Sequence, residues 1–405
     1  MTPDSLEDAT MKRTVWRLFF CQALMNAAMV GQVAMGAMIG HTLSSDAALA
    51  TLPMAVQMTA VMAVSIPASL IFGRFGRRAG FILGALLSIL GSLTFAAGVV
   101  AQDFVLYCAG AAFAGAGFGI AQHYRFAAAE AATPAYRPRA ISLVMAGPIL
   151  SAIFGPEIVK HTHSLFPPHM FLGTYLTLAL LPLACLFLLS NLRLPPAPPR
   201  ARVATPVGEI IRRPAFVTAV VTGLVAYGAM NLAMTATPLE MLLCGFGIAA
   251  SATVIQAHAL AMFAPGFLTG GLIARHGVRP VIVAGAALTA AFVAVALTGK
   301  TFWHVTAGLV LLGIGWNFMF VGATTLLSTA YAPEERVRAQ AANDFIVFGT
   351  VACTAFLSGF VHAKLGWNAL NLTLLPPLAV ALGLLAWQHL HRPRVEAATS
   401  KPATP

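Results

Sequence analysis

The sequence predicts an all-α membrane protein, with twelve transmembrane helices arranged as two six-helix repeats. Three observations predict it. Of 405 residues, 59% are hydrophobic and 9% charged, with a mean hydropathy of +0.82, too few polar groups to cover a water-soluble surface. The apolar residues fall into runs of about 20 or more, the length that crosses the hydrocarbon. The first half of the chain also reappears in the second.

The runs lie at 15–40, 47–72, 79–101, 104–131, 141–160, 170–191, 215–244, 248–274, 280–299, 302–331, 340–362 and 367–390. The polar start MTPDSLEDATMKR, leading into a run of full spanning length, does not fit the pattern of a cleaved secretory signal, and none is expected. With both termini placed in the cytoplasm, all but four of the 24 Lys and Arg fall in cytoplasmic segments. The four are Lys160, Lys300 and Lys364 in outer loops, and Arg125 inside the fourth run. This is the positive-inside pattern, and it accounts for the formal charge of +11 without a nucleic-acid partner. Five scattered cysteines without CxxC spacing give neither a disulfide framework nor a zinc site.

SLIFGRFGRRAGFILGA (69–85) aligns without gaps on GGLIARHGVRPVIVAGA (270–286), pairing Arg74 with Arg275, Gly76 with Gly277 and Arg78 with Arg279. TPAYRPRA (133–140) likewise matches APEERVRA (332–339). The expected organisation is a cytoplasmic segment (1–14), a six-helix half (15–191), a Pro/Arg-rich linker (192–214), a second half (215–391) and a tail (392–405). Parallel six-span repeats around a midplane site are the organisation of the major facilitator superfamily. GRFGRR resembles that superfamily's signature after the second span. There an acidic residue normally precedes the first arginine, and here that position is Gly73. The resemblance implies gating roles for Arg74 and Arg78, with Glu130 or Asp344 as candidates for the missing acid.

Polar groups inside a membrane are costly and are functional candidates by default. His123 and Arg125 in the fourth run are candidates for coupling or substrate contact, against a role in helix–helix hydrogen bonding. Asp344 is the candidate proton-linked group, and Asn231 a support for a neighbouring helix. Glu157 and Glu240 lie near outer helix ends, where solvation makes an acid cheap. The outer histidines, among them His362, serve either to gather a metal or simply to keep the outer loops polar.

The methionines are patterned. Sixteen Met placed at random would give roughly 0.6 pairs at spacing four, and the chain has four. Residues i and i+4 share a helix face. Met230 and Met234 in the seventh run, with His258 and Met262 in the eighth, therefore form two soft-donor pairs at similar depth. Thioether and neutral imidazole select Cu(I), although methionine is also an ordinary gap-filler. MNLAMTATPLEM and QAHALAMFAPGF resemble the motifs of the CcoA-type copper importers of the major facilitator superfamily. That resemblance implies copper ligation by Met230, Met234, His258 and Met262, import across a bacterial inner membrane, and support of cbb3-type cytochrome c oxidase assembly. Met25, Met29, Met58 and Met62 in the first half are candidate accessory ligands.

The expected function is secondary transport of copper as substrate, by a lipid-embedded monomer that is not an enzyme and holds no cofactor. A periplasmic or cytoplasmic copper chaperone is the implied partner. The alternative is a proton-coupled transporter of a small organic solute, in riboflavin-like uptake or drug efflux, whose methionines line an apolar cavity. A third reading makes the chain a copper-sensing transceptor. The absence of a nucleotide-binding motif excludes a primary pump.

Overall fold

The structure, a computed structural model, describes residues 3–133, 136–190, 192, 194 and 205–390. Among the described residues there is no strand. In the first half the helices are α1 (Pro3–Leu43), α2 (Leu52–Ala101), α3 (Phe104–Ala121), α4 (Tyr124–Ala131), α5 (Arg137–Thr162) and α6 (Leu172–Ser190). A short linker helix follows, α7 (Val207–Ile211). The second half contains α8 (Pro214–Leu243), α9 (Ile248–Phe263), α10 (Gly266–His276), α11 (Val278–Thr298), α12 (Phe302–Ser328), α13 (Arg336–Leu372) and α14 (Leu375–Leu390).

Among the described residues twelve passes emerge once the breaks are assigned. α2 turns a corner at Gly76 (φ 82°, ψ 160°) and so supplies passes two and three. α10 and α11 meet at Gly277, with nearly the same backbone (φ 87°, ψ 160°). A positive φ of this kind favours glycine, which has no Cβ to clash. The two glycines that the sequence repeat aligns therefore make the same corner. α13 turns at Gly366 (φ 77°), separating pass eleven from pass twelve, which α14 completes.

Pass four is α3 plus α4, interrupted at Gln122–His123, and pass eight is α9 plus α10, interrupted around Pro265. Proline lacks the N–H that a helix interior needs. At the second break Asn317 of α12 donates to the Met262 carbonyl at 2.6 Å and accepts from Thr269 at 2.5 Å. α1 begins at Pro3, ahead of the cytoplasmic segment's expected end at residue 14. Residues 4–14 hold no Gly or Pro, and Lys12 pairs with Asp8 one turn back at 2.6 Å. Most of the linker and the whole tail lie outside the described residues.

Small residues set how closely the passes approach. A Cβ on Gly115 of α3 would lie 2.1 Å from the Gln57 carbonyl of α2, so these backbones touch. The repeat extends to packing, since Gly84 and Gly285 each accommodate a glycine carbonyl of the following pass, Gly117 and Gly315.

The halves meet through α1 with α8, α5 with α9, and α2 with α13. Their hydrogen bonds gather at the end of the bundle away from the termini. There Gly359 donates to the Thr51 hydroxyl at 2.9 Å, and Gln256 reaches Glu157 at 3.1 Å and Lys160 at 3.0 Å. At the terminal end the cross-half ion pair among the described residues is Arg125–Asp344 at 3.9 Å. The halves are thus clasped at the far end and only lightly joined at the terminal end.

Candidate functional site

At mid-depth the second half presents a layer of five aromatic rings from four passes. Trp316 and Phe320, one turn apart on α12, stack with centroids 5.1 Å apart and planes 11° apart. Tyr227 of α8 stands edge-on to Trp316 at 5.5 Å and Phe320 at 5.3 Å, and lies 6.1 Å from Phe348 of α13. Phe263, at the end of α9, meets Trp316 at 6.0 Å. The Trp316 indole nitrogen is buried and has no hydrogen-bond partner. Buried indole N–H groups usually find one, so this donor is available to an incoming acceptor.

Tyr227 and Met234 connect this layer to the junction of the halves. Both pack against a cluster in which Met29, Met54 and Met58 of the first half meet Val351 and Ala355 of the second. At the other edge lie Arg125, whose guanidinium covers Phe126 at 4.8 Å, and its partner Asp344. His123, at the break in pass four, packs edge-to-face on Phe72 at 5.1 Å.

The soft-donor residues are distributed as follows. Met230 and Met262 belong to one buried cluster with Trp316 and Met319, and Met234 packs against it. His258 is fully buried and turned toward α12, with Nδ1 2.7 Å from the Leu309 carbonyl, while its Nε2 has no partner. In the first half the structure brings Met29 and Met58 together. Met62 faces Gly349 of α13, and Met25 packs into a separate core with Phe19 and Phe81.

The arginine motif is used differently from its sequence reading. Arg77 holds Glu130 through two nitrogens, Nε at 2.5 Å, joining the start of pass three to the end of pass four. Arg78 donates to the Ser190 carbonyl at the end of pass six. Its repeat mate Arg279 reaches His389 at the end of pass twelve, at 2.7 Å. Arg74 is exposed, over the Phe75 ring. A side chain at Gly73 would meet open space.

Two groups depart from where the sequence placed them. Glu240 is 5% exposed rather than solvated, because His362 of α13 and Lys300 of the loop between α11 and α12 fold over it at 2.6 and 2.7 Å. His362 is correspondingly buried rather than on the outer surface. Asn231 does support a neighbouring helix, donating to Val351 at 3.0 Å and Thr354 at 3.1 Å. Sequence reasoning missed the buried amides of passes one and two, where the Gln57 side chain donates to Gln32 at 2.5 Å and its own Oε1 is unpaired. Their signal was available, since both are polar residues within apolar runs.

Twelve passes in two repeated halves around an aromatic, thinly charged centre define a secondary transporter. The chain belongs to the Major Facilitator Superfamily, which it matches over residues 18–275 and 245–405. It is 40% identical over 382 residues to the riboflavin transporter RfnT of Brucella anthropi, covering 93% of this chain and 96% of that one. Two uncharacterized MFS-type transporters of Bacillus subtilis, YddS and YdeG, are 27% and 25% identical, each over 89% of this chain and 87% and 88% of their own lengths.

Proposed function

We propose that the chain imports a flat heteroaromatic solute of the riboflavin kind by alternating access, in a bacterial inner membrane with its terminal end in the cytoplasm. The observation that carries the reading is the five-ring layer. Offset and edge-on aromatic contacts bind a fused ring system with little orientational cost, and the free indole N–H supplies an acceptor's partner. The buried amides Gln32 and Gln57 suit the hydroxyls of a polar side chain. The similarity to RfnT supports the same solute class. The methionines then line and adapt the apolar walls.

A second reading retains copper as substrate at Met230, Met234, His258 and Met262, and the unpartnered, buried Nε2 of His258 favours it. The comparison with RfnT supports the organic solute instead. One experiment separates them: a bacterial host unable to make or take up riboflavin is given the gene, and both its growth on low riboflavin and its copper content are measured. Rescue of growth with unchanged copper is expected. Raised copper without rescue, lost in His258→Ala, would replace the riboflavin reading with the copper one.

A further inference from the structure

The strongest unassigned feature is the buried acid behind the far-end clasp. Glu240 lies one turn before the end of α8, and both its carboxylate oxygens are engaged. Oε2 accepts from His362 at 2.6 Å and Oε1 from Lys300 at 2.7 Å, while Cys244 lies 3.6 Å from Oε1. An acid deep in a membrane protein is costly to keep and marks function by default. Glu240 and His362 are themselves buried, whereas Lys300 is about half exposed and connects the acid to the surface at this end.

Its position links it to the closure of the outer face. Leu239, next to Glu240, packs with Ala37 of α1 and Ala50 of the first half. On α13, Ser358 donates to the Leu232 carbonyl of α8, and Gly359 donates to Thr51 of the opposite half. One turn further along α13 is His362. A single turn of helix therefore carries the tie to α8, the clasp to the other half and the partner of the buried acid. The titratable groups in contact with the pair are Lys300, in the α11–α12 connection, and Cys244, just past the end of α8; Lys364 lies two residues beyond His362 on α13. His304 is held by Thr301 at 2.7 Å and Asp46 caps its own turn.

We propose that the Glu240–His362 pair is the proton-binding site that couples import to the proton gradient, an inference that rests on the reading of this chain as an importer. The carboxylate accepts, so Nε2 of His362 carries the hydrogen, and one proton from outer water adds at Nδ1. No other bond forms or breaks. The neutral imidazole–carboxylate bond becomes an imidazolium–carboxylate ion pair, whose hydrogen bond is shorter and stronger. It draws α13 onto α8 directly behind the Thr51 clasp. Proton uptake thus favours the closed outer face, and proton release frees it to open.

The test has two arms. In liposomes, spin labels at the exposed Ser45 and Thr298 report the outer opening, in a chain whose native cysteines are replaced by serine. The wild-type pair is expected to shift toward the short distance when the pH is lowered from about 8 to about 5.5. Glu240→Gln and His362→Gln are each expected to remove that shift, and two variants on different helices guard against one that fails to fold. A wild-type distribution that ignores pH, or variants that keep the shift, would overturn the proposal. In the second arm, an inward gradient of about 1.5 pH units drives about thirtyfold riboflavin accumulation if one proton accompanies each solute. Both variants should equilibrate riboflavin without accumulating it, and accumulation at the wild-type level would count against the site. Should the wild type move no riboflavin at all, the solute reading fails while the label distances still decide the proton site.

Discussion

Replacing Asp344 by Asn removes the acid of the ion pair that joins the halves at the terminal end. Its strength follows from geometry and exposure. Two unit charges about 4 Å apart interact by about 4 kcal/mol at an effective dielectric constant of about 20, and by about 1 kcal/mol in water. The Arg125 and Asp344 side chains are 33% and 41% exposed, which places the pair near the aqueous limit. Exposed pairs of this kind contribute about 0.2–1 kcal/mol. That corresponds to a change of roughly 1.4- to 5-fold in the balance between closed and open at this end. Spin labels introduced by Gly73→Cys and His276→Cys, both at exposed positions on opposite halves, would read that balance. Asp344→Asn and Arg125→Gln should each enlarge the open population within that range. The exchanged pair, Arg125→Asp with Asp344→Arg, should restore it. Single variants with the wild-type distribution, or an exchanged pair no closer to wild type than either single change, would refute the reasoning.

Further outcomes follow from other contacts. Glu130→Gln leaves Arg77 without its acid in a setting where both side chains are largely buried, and should cost on the order of 3 kcal/mol, read as a lowered melting temperature in detergent. Arg213 and the Ala332 amide hold the Glu335 carboxyl well down, at about 2 against an ordinary 4.5. A depressed carboxylate contributes its stability in full above the ordinary value and loses it as the pH falls toward 2. Arg213→Ala should therefore melt below the wild type at neutral pH and converge with it in strong acid. Gly115→Val places a branched side chain against the Gln57 carbonyl, so passes two and four must separate, and the variant should lose monodispersity on gel filtration. Gly359→Ala meets the Thr51 hydroxyl at 2.4 Å and should raise the labelling rate of a cysteine placed in the outer opening.

The twelve passes were legible because lipid enforces apolar length and charge asymmetry, two signals that need no knowledge of contacts. The corner at Gly76 and Gly277 was legible as a repeat, although its positive φ was not. The site was less so. Spacing places Met25 and Met29 on one helix face, yet it cannot say that Met25 enters a core while Met29 reaches the junction of the halves. Glu240 was misplaced for a related reason. Position along a helix gives depth, whereas burial depends on α13 and an outer loop that come later in the chain. The Arg77–Glu130 pair, fifty-three residues apart, is invisible to any local pattern. The aromatic layer is likewise assembled from four passes, each of which contributes rings that are unremarked in its own segment.

The single-residue corners at Gly76, Gly277 and Gly366 bear on how the chain is made. Two membrane-crossing helices joined by one residue leave no loop between them, so each pair is expected to enter lipid as one hairpin. In the proposed orientation the arginines of the first corner, Arg74, Arg77 and Arg78, face the cytoplasm, where the positive-inside rule would have them set the hairpin's direction. An epitope or reporter spliced at Gly76 or Gly277 would divide an insertion unit, whereas the same insertion in the linker would fall between units already completed.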